Sequence, residues 1–344
     1  MQQTFLGGKW LMVTLAVALA ISGAAIAAPS TLEAVKARGS VNCGVSEGTP
    51  GFAVPDDKGA WVGMDADVCR AVAAAIFNDP KKVTFRSLTS KDRFTALQSG
   101  EIDILSRITT FSMGRNTSLG IDFPAILYFD GQGFMVKKSS NIKSVTELNG
   151  ATICLETGTT TELNAADYFR SRGMKYEILG FQRVDEAIRS YETGRCDAYT
   201  NDHSSLAAQR LKLKAPNDHQ VLPEIISKEP LAPGVRSGDF QWSNIVRWSV
   251  FAMLNAEELG ITQKNIDEMK TSTNPEIRRI LGGDADLGQG MGLSSDWAYR
   301  IIKHVGNYGE AYDRNVGKNS PLGIRRSLNA LWKDGGIQYA APIR

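Results

Sequence analysis

The sequence predicts an α/β protein built from two similar lobes in tandem, and three observations lead there. Apolar strand-like runs alternate with amphipathic helical stretches, the order that produces parallel sheets. The run Gly100-Glu101-Ile102-Asp103-Ile104-Leu105 recurs as Gly194-Arg195-Cys196-Asp197-Ala198-Tyr199, each time after an amphipathic helix. Ala151-Thr152-Ile153-Cys154-Leu155 likewise mirrors Val41-Asn42-Cys43-Gly44-Val45, so the whole βα order repeats.

The first residues read as a secretory leader rather than as part of the fold. Lys9 supplies a positive start, Leu11 to Ile21 a short apolar core, and Ala25-Ile26-Ala27 the small residues of a cleavage site. That apolar run is short for a membrane span. The expected product is an exported protein, with the leader ending at Ala27. The full chain carries 39 Lys+Arg against 37 Asp+Glu, a balance that argues against nucleic acid or an anionic membrane surface as partner. With 42% hydrophobic residues and no low-complexity tract, a packed core is expected.

Within the first lobe, Val41 to Val45 is a strand with a polar exit at Ser46-Glu47-Gly48-Thr49-Pro50. Val68, Ala71, Val72, Ala75 and Ile76 form the stripe of a helix over Asp65 to Phe77 that packs on a sheet. Val83-Thr84-Phe85 is the next strand, Asp92 to Ser99 a helix, and Ile102 to Leu105 another strand. Gly133 to Lys138 reads as a strand leaving this lobe, and Ser227 to Val235 as the chain returning to it. The expected division is residues 1–27 as leader, 28–135 with 231–344 as the first lobe, and 136–230 as the second. Two crossings make a hinge, and the cleft between the lobes is the natural ligand site.

Four cysteines in an exported chain allow two disulfides and three connectivities. Cys43 and Cys69 fall in one lobe, Cys154 and Cys196 in the other. Pairing within lobes leaves them free to move and pairing across would lock them, which favours the former. Neither pair has CxxC spacing, so neither a redox centre nor a zinc knuckle is indicated.

The most informative polar stretch is Ser106-Arg107-Ile108-Thr109-Thr110-Phe111-Ser112-Met113-Gly114-Arg115, just past the Ile102–Leu105 strand. Ligands of open α/β sheets bind at strand ends of this kind. Hydroxyls offer single donors and Arg115 a planar fork that matches a carboxylate. Further on, Thr159 to Glu162 has the Thr-x-x-Glu pattern of a capping box opening a helix. Free N–H groups at such a start favour an anion.

With these runs in view, and with Asp130-Gly131-Gln132-Gly133-Phe134 and Gly194 to Asp202 beside them, the chain resembles the periplasmic binding proteins of ABC amino-acid importers. More narrowly it is similar to the general L-amino-acid-binding members with a long C-terminal extension. The resemblance implies the type II two-lobed periplasmic binding protein fold, with two hinge strands. It implies a monomer that binds free L-amino acids and hands them to a permease driven by a separate ATPase. The family's Thr-x-Thr-x-x-Arg pattern falls on Thr110, Ser112 and Arg115, with serine for the second threonine and Met113-Gly114 for the usual acidic pair. By resemblance Arg115 clamps the ligand carboxylate and Thr110 assists. Gly158, Thr160 and Thr161 contribute from the second lobe, and Asp202 takes the ammonium. Arg107 is an extra charge that could contact the ligand or pair within the protein. Phe52 and Trp61 are candidate walls of the side-chain pocket, and Ser90 stands where the family often places an aromatic platform. That absence suggests a roomy pocket of broad specificity.

Other classes are less well supported. GxSxG, Walker A and HExxH motifs are absent, His203, His219 and His304 are scattered, and neither a metal nor a cofactor is expected. The rival readings are an exported dehydratase or cell-wall lyase on the same fold, with Glu310 as acid, and a ligand-sensing module without transport. Helical pieces at Asn307 to Tyr312 and Leu328 to Trp332 are expected to pack on the first lobe.

Overall fold

The computed structural model describes Met1, Gln2, Thr4 and residues 30–283 and 286–344. Most of the expected leader therefore lies outside the described residues. Among those residues no helix is long and apolar enough to cross a membrane.

The first lobe is centred on a three-stranded parallel sheet, with Val41–Val45 between Val83–Ser87 and Ile104–Leu105. The helix Met64–Phe77 lies on it. Val68, Ala71, Val72 and Ala75 are fully buried as their spacing predicts, while Ile76 is half-buried. This helix is buried on its other face too, against Phe240–Glu258 and Trp297–Val305. The C-terminal extension thus completes the first lobe's core, to which Tyr308, Tyr312 and Leu331 belong. Of its two expected helical pieces, Tyr308–Asn315 is an α-helix and Leu328 to Trp332 only the edges of two short 3₁₀ turns.

The second lobe carries five strands in the order Tyr176–Phe181, Ala151–Glu156, Ala198–Asp202, Gln132–Lys137, His219–Val221. The first three are parallel. Gln132–Lys137 pairs antiparallel with both neighbours, so this sheet is mixed rather than parallel. The reason is topological: the strand arrives straight from the hinge, without the crossover that a parallel neighbour would require. It also lies wholly within the second sheet, which puts the first crossing at residues 128–131 rather than at 135. Tyr128–Asp130 pairs there with Glu229–Leu231 as a two-stranded antiparallel ribbon.

The repeated Gly-x-x-Asp has one structural job in both lobes. The Asp103 carboxylate accepts the Asn42 N–H at 2.7 Å, and its own N–H bonds the Asn42 carbonyl at 2.8 Å. Asp197 makes the same pair with Thr152, both at 2.8 Å. Each aspartate ties the entry of its strand to a parallel neighbour, Val41–Val45 in the first lobe and Ala151–Glu156 in the second. The disulfides are Cys43–Cys69 and Cys154–Cys196, one in each lobe.

Candidate functional site

The C-terminal ends of the strands in both lobes open onto one cleft of about 500 Å³ of empty space, part of it reaching solvent. Ser46 and Glu47 follow the first strand, Arg107 follows Leu105, Glu156 ends its strand, and Asp202 ends another; all line the cleft. The lobes are closed on one another. The Ser90 hydroxyl donates to Glu156 Oε1 at 3.1 Å, Arg107 Nη2 lies 3.6 Å from the same oxygen, and the Thr110 and Thr160 hydroxyls meet at 3.3 Å. Arg183 of the second lobe pairs with Glu47, and Lys212 Nζ donates to the Gly48 carbonyl at 3.2 Å.

Arg107, Thr110, Thr160, Thr161 and Asp202 all line this space. Arg115 stands behind it, buried, with Nη1 donating to the Thr110 carbonyl at 2.8 Å and its guanidinium 5.2 Å from the centre of the Phe94 ring. Burial pulls the Arg115 pKa down, Glu229 and Asp202 act the other way, and Arg107 adds to the lowering. Arg107 is occupied within the protein, its Nε donating to the Leu88 carbonyl at 2.9 Å and its Nη2 facing Glu156.

Three expected residues lie elsewhere. Ser112 is the N-cap of the short helix Met113–Ser118, half-buried and away from the cleft lining. Gly158 precedes the helix Thr160–Ser171 with φ +73°, a left-handed conformation that glycine adopts without cost. Its N–H is taken by Glu162 at 3.0 Å, so the capping box is half-formed: Thr159 accepts from the Glu162 N–H at 3.2 Å, but the Glu162 carboxylate reaches Gly158 instead of closing the box. Phe52 is no pocket wall. It is 1% exposed and set edge-on to Tyr128 in the first lobe's core, because the chain turns inward after Thr49 and bonds back on itself. Trp61 packs on Phe85 at 6.0 Å.

Asp202 sits in an unfavourable electrostatic setting. Burial pushes its pKa well above the usual carboxylate range; Asp130 and Glu229 push the same way, and Arg115 and Arg93 oppose them. Its Oδ1 is buried without a hydrogen-bond partner. A buried acceptor left open in this way is costly unless something fills it.

Several groups were invisible to pattern reading. Glu229, on the returning hinge strand, is 1% exposed and gathers four neutral donors: the Thr110 hydroxyl, the Thr160 hydroxyl at 3.0 Å, Asn164 Nδ2 at 2.6 Å and the Ser227 hydroxyl at 2.7 Å. An acid within an otherwise apolar crossing strand was the available signal. Arg93 lines the cleft at the start of the helix Arg93–Gln98, where a cation opposes the helix dipole. Gln209 lines it from the helix His203–Arg210, on the same face as the core residue Leu206.

A family model described as bacterial extracellular solute-binding proteins, family 3, matches residues 41–280. The chain is 54% identical over 338 residues to the general L-amino acid-binding periplasmic protein AapJ of Rhizobium johnstonii, spanning 98% of this chain and 99% of that one. It is 50% identical over 329 residues to the glutamate/glutamine/aspartate/asparagine-binding protein BztA of Rhodobacter capsulatus, spanning 95% and 97%. A solved structure, an ABC transporter/periplasmic binding protein from Brucella ovis with glutathione bound, matches with TM-score 0.91 and 55% identity, over 92% of this chain and 100% of the other.

Proposed function

The chain belongs to the bacterial extracellular solute-binding proteins of family 3, and from that premise we propose that it binds free L-amino acids in the periplasm. It delivers them to the permease of an ABC importer, powered by a separate ATPase, by closing its lobes around the ligand. It acts as a monomer without catalysis, is exported by the leader ending at Ala27, and accepts a broad range of side chains through the shared headgroup. The lobes divide at the paired strands Tyr128–Asp130 and Glu229–Leu231.

The observation that carries this reading is the unpartnered, buried Oδ1 of Asp202, facing a cleft whose opposite wall is backed by Arg115. The ligand ammonium fills the Asp202 position. Its carboxylate is drawn by Arg115, with Thr110 and the helix start at Thr160 and Thr161 as further donors. Asp202 and Arg115 are then both compensated, which neither lobe achieves alone. Ligand therefore favours the closed state by its differential affinity for it. Glu310, the acid of the lyase alternative, is held in a capping box with Asn307 and bonds the Gln263 N–H at 3.1 Å, a structural role that favours the binding reading.

The test is calorimetric titration of the ligand-stripped mature protein with free L-amino acids, their amides and the corresponding decarboxylated amines. Binding of several amino acids, lost when either headgroup charge is removed, is the expected result. Equal binding of the amides and the free acids would overturn the headgroup assignment.

A further inference from the structure

The loop that carries Arg107 and Thr110 to the cleft holds a backbone conformation that its own sequence disfavours. Ile108 has φ +42°, in the left-handed region that β-branched residues rarely enter. It lines the cleft between those two residues, so its backbone fixes how both are presented. Much of the loop is pinned by backbone bonds. The Ser106 N–H donates to the Gly44 carbonyl at 2.9 Å, the Thr109 carbonyl accepts the Ala232 N–H at 2.9 Å, and the Phe111 N–H donates to the Pro230 carbonyl at 2.8 Å. The Ile108 N–H goes to a side chain instead, donating to Asp65 Oδ2 at 3.0 Å.

Asp65 is 4% exposed, in the first turn of the helix Met64–Phe77, and stands behind the loop rather than on the cleft lining. Its other oxygen, Oδ1, accepts from the fully buried Ser106 hydroxyl at 3.0 Å. One carboxylate thus grips both ends of the turn from Ser106 to Ile108. Two residues further along the same helix, Asp67 is also buried but turns to the C-terminal extension, accepting from Arg314 Nη2 at 2.6 Å and Asn315 Nδ2 at 2.7 Å. Neighbouring acids on one helix therefore face different tasks.

Resting on the amino-acid reading above, we propose that Asp65 is a positioning residue for ligand binding. It holds Ile108 in the left-handed conformation and so keeps the Ser106–Thr110 loop in the arrangement that meets the ligand. A disfavoured φ persists only where its surroundings over-determine it. Without the carboxylate, the Ile108 N–H and the Ser106 hydroxyl lose a buried acceptor. The loop then relaxes by rotating the peptide units on either side of Ile108, which moves Arg107 and Thr110. Ligand must restore the original geometry as it binds, at the expense of affinity. Because Thr110 serves the headgroup that all ligands share, the loss is the same factor for every side chain.

Calorimetric titration of the mature, ligand-stripped protein with L-glutamine and L-alanine, beside thermal melting, tests this. Asp65→Leu should weaken both ligands by one factor, about tenfold or more. Asp65→Asn can still accept the Ile108 N–H and donate to the Ser106 hydroxyl, and should stay within about threefold of wild type. Asp67→Leu should lower the melting temperature and leave the affinity of the folded protein unchanged. Glycine adopts positive φ freely, so Asp65→Leu should cost less affinity beside Ile108→Gly than beside Ile108, by about threefold or more. Asp65→Ser, too short to reach the Ile108 N–H, carries the test with the same expected loss should Asp65→Leu fail to melt cooperatively. Wild-type affinity in these Asp65 variants, or a cost unchanged by Ile108→Gly, would overturn the positioning role and leave the amino-acid reading standing. Wild-type protein that binds neither ligand would overturn that reading, and this one with it.

Discussion

The two lobes are built alike and charged differently. Each has a parallel strand carrying a cysteine, at Cys43 and Cys154, and each ties its later strand back with an aspartate, Asp103 or Asp197. At the cleft the likeness ends. The first lobe presents Arg93, Arg107 and, behind them, Arg115, with Glu47 at its edge paired to Arg183; the second presents Glu156 and Asp202 and the start of the helix Thr160–Ser171. A repeated scaffold has thus been given complementary linings, and complementarity between lobes is what a hinge can exploit. Closure brings Arg107 to 3.6 Å from Glu156. The groups still open in that closed state define what the ligand must supply.

The largest expected effect comes from removing one side of that complementarity. Asp202→Ala and Arg115→Ala should each weaken amino-acid binding by about 100-fold or more, as expected when one partner of a buried charge pair is truncated. Asp202→Ala should meanwhile raise the stability of the ligand-free protein, since it removes a buried carboxylate that lacks a counter-ion. Titration calorimetry beside thermal melting reads both quantities. Affinity retained in both variants would show that the two lobes do not divide the headgroup as proposed.

The comparison sharpens again in stability. The first lobe has one large core joining its sheet to Met64–Phe77 and the C-terminal helices, with a smaller cluster around Leu97 and Ile102, whereas the second lobe has two small clusters around its sheet. Replacing either cystine by serines should cost about 2–5 kcal/mol, the usual range for a native disulfide. Cys154–Cys196 should be the more damaging loss, because it closes the longer loop, 42 residues against 26, on the smaller core. Thermal melts of the two double variants decide this; a lower melting point for the Cys43/Cys69 variant would reverse the ranking of the lobes.

The fold was largely legible because its signals are local and repeated. Apolar stripes such as Val68, Ala71, Val72 and Ala75, and the Gly-x-x-Asp recurring at Asp103 and Asp197, are set within a few residues of sequence. The antiparallel entry of Gln132–Lys137 was not legible, since strand direction follows from the route of the hinge rather than from the strand's own residues. Of the cleft, Thr110 and Asp202, which line it, and Arg115, buried behind it, were expected from a recognisable order of residues. Arg93, Gln209 and Glu229 were not. Arg93 and Gln209 read as ordinary helix residues, and Glu229 as a loop acid, until closure of two distant segments buries them together. Phe52 misled for the converse reason: an aromatic beside a strand exit can turn into the core as readily as into the cleft.

The smallest expected effect is a pH dependence contributed by one lobe alone. Arg115 keeps its charge across the accessible range, so the first lobe's half of the headgroup site is indifferent to pH. Asp202 is not. In the closed cleft its pKa stands well above the ordinary carboxylate value, through burial first and then Asp130 and Glu229, with Arg115 and Arg93 opposing. A carboxylate raised on folding contributes stability at low pH and loses it as pH rises through the folded pKa. The ligand ammonium needs the ionised form, so binding lowers that pKa and releases a proton. Affinity should therefore increase with pH, by at most about tenfold per unit for a single proton, while the melting contribution of Asp202 in the ligand-free protein runs the other way. Asp130, buried nearby with its pKa raised to about 6, adds a second rise near that pH if the two carboxylates respond together. Titrations from pH 5 to 8 in buffers of different ionisation enthalpy measure both the affinity and the proton count. A flat profile with no proton released would mean that Asp202 is not the ammonium's partner, and the second lobe's share of the headgroup would pass to Glu229, whose carboxylate already lies between Thr110 and Thr160.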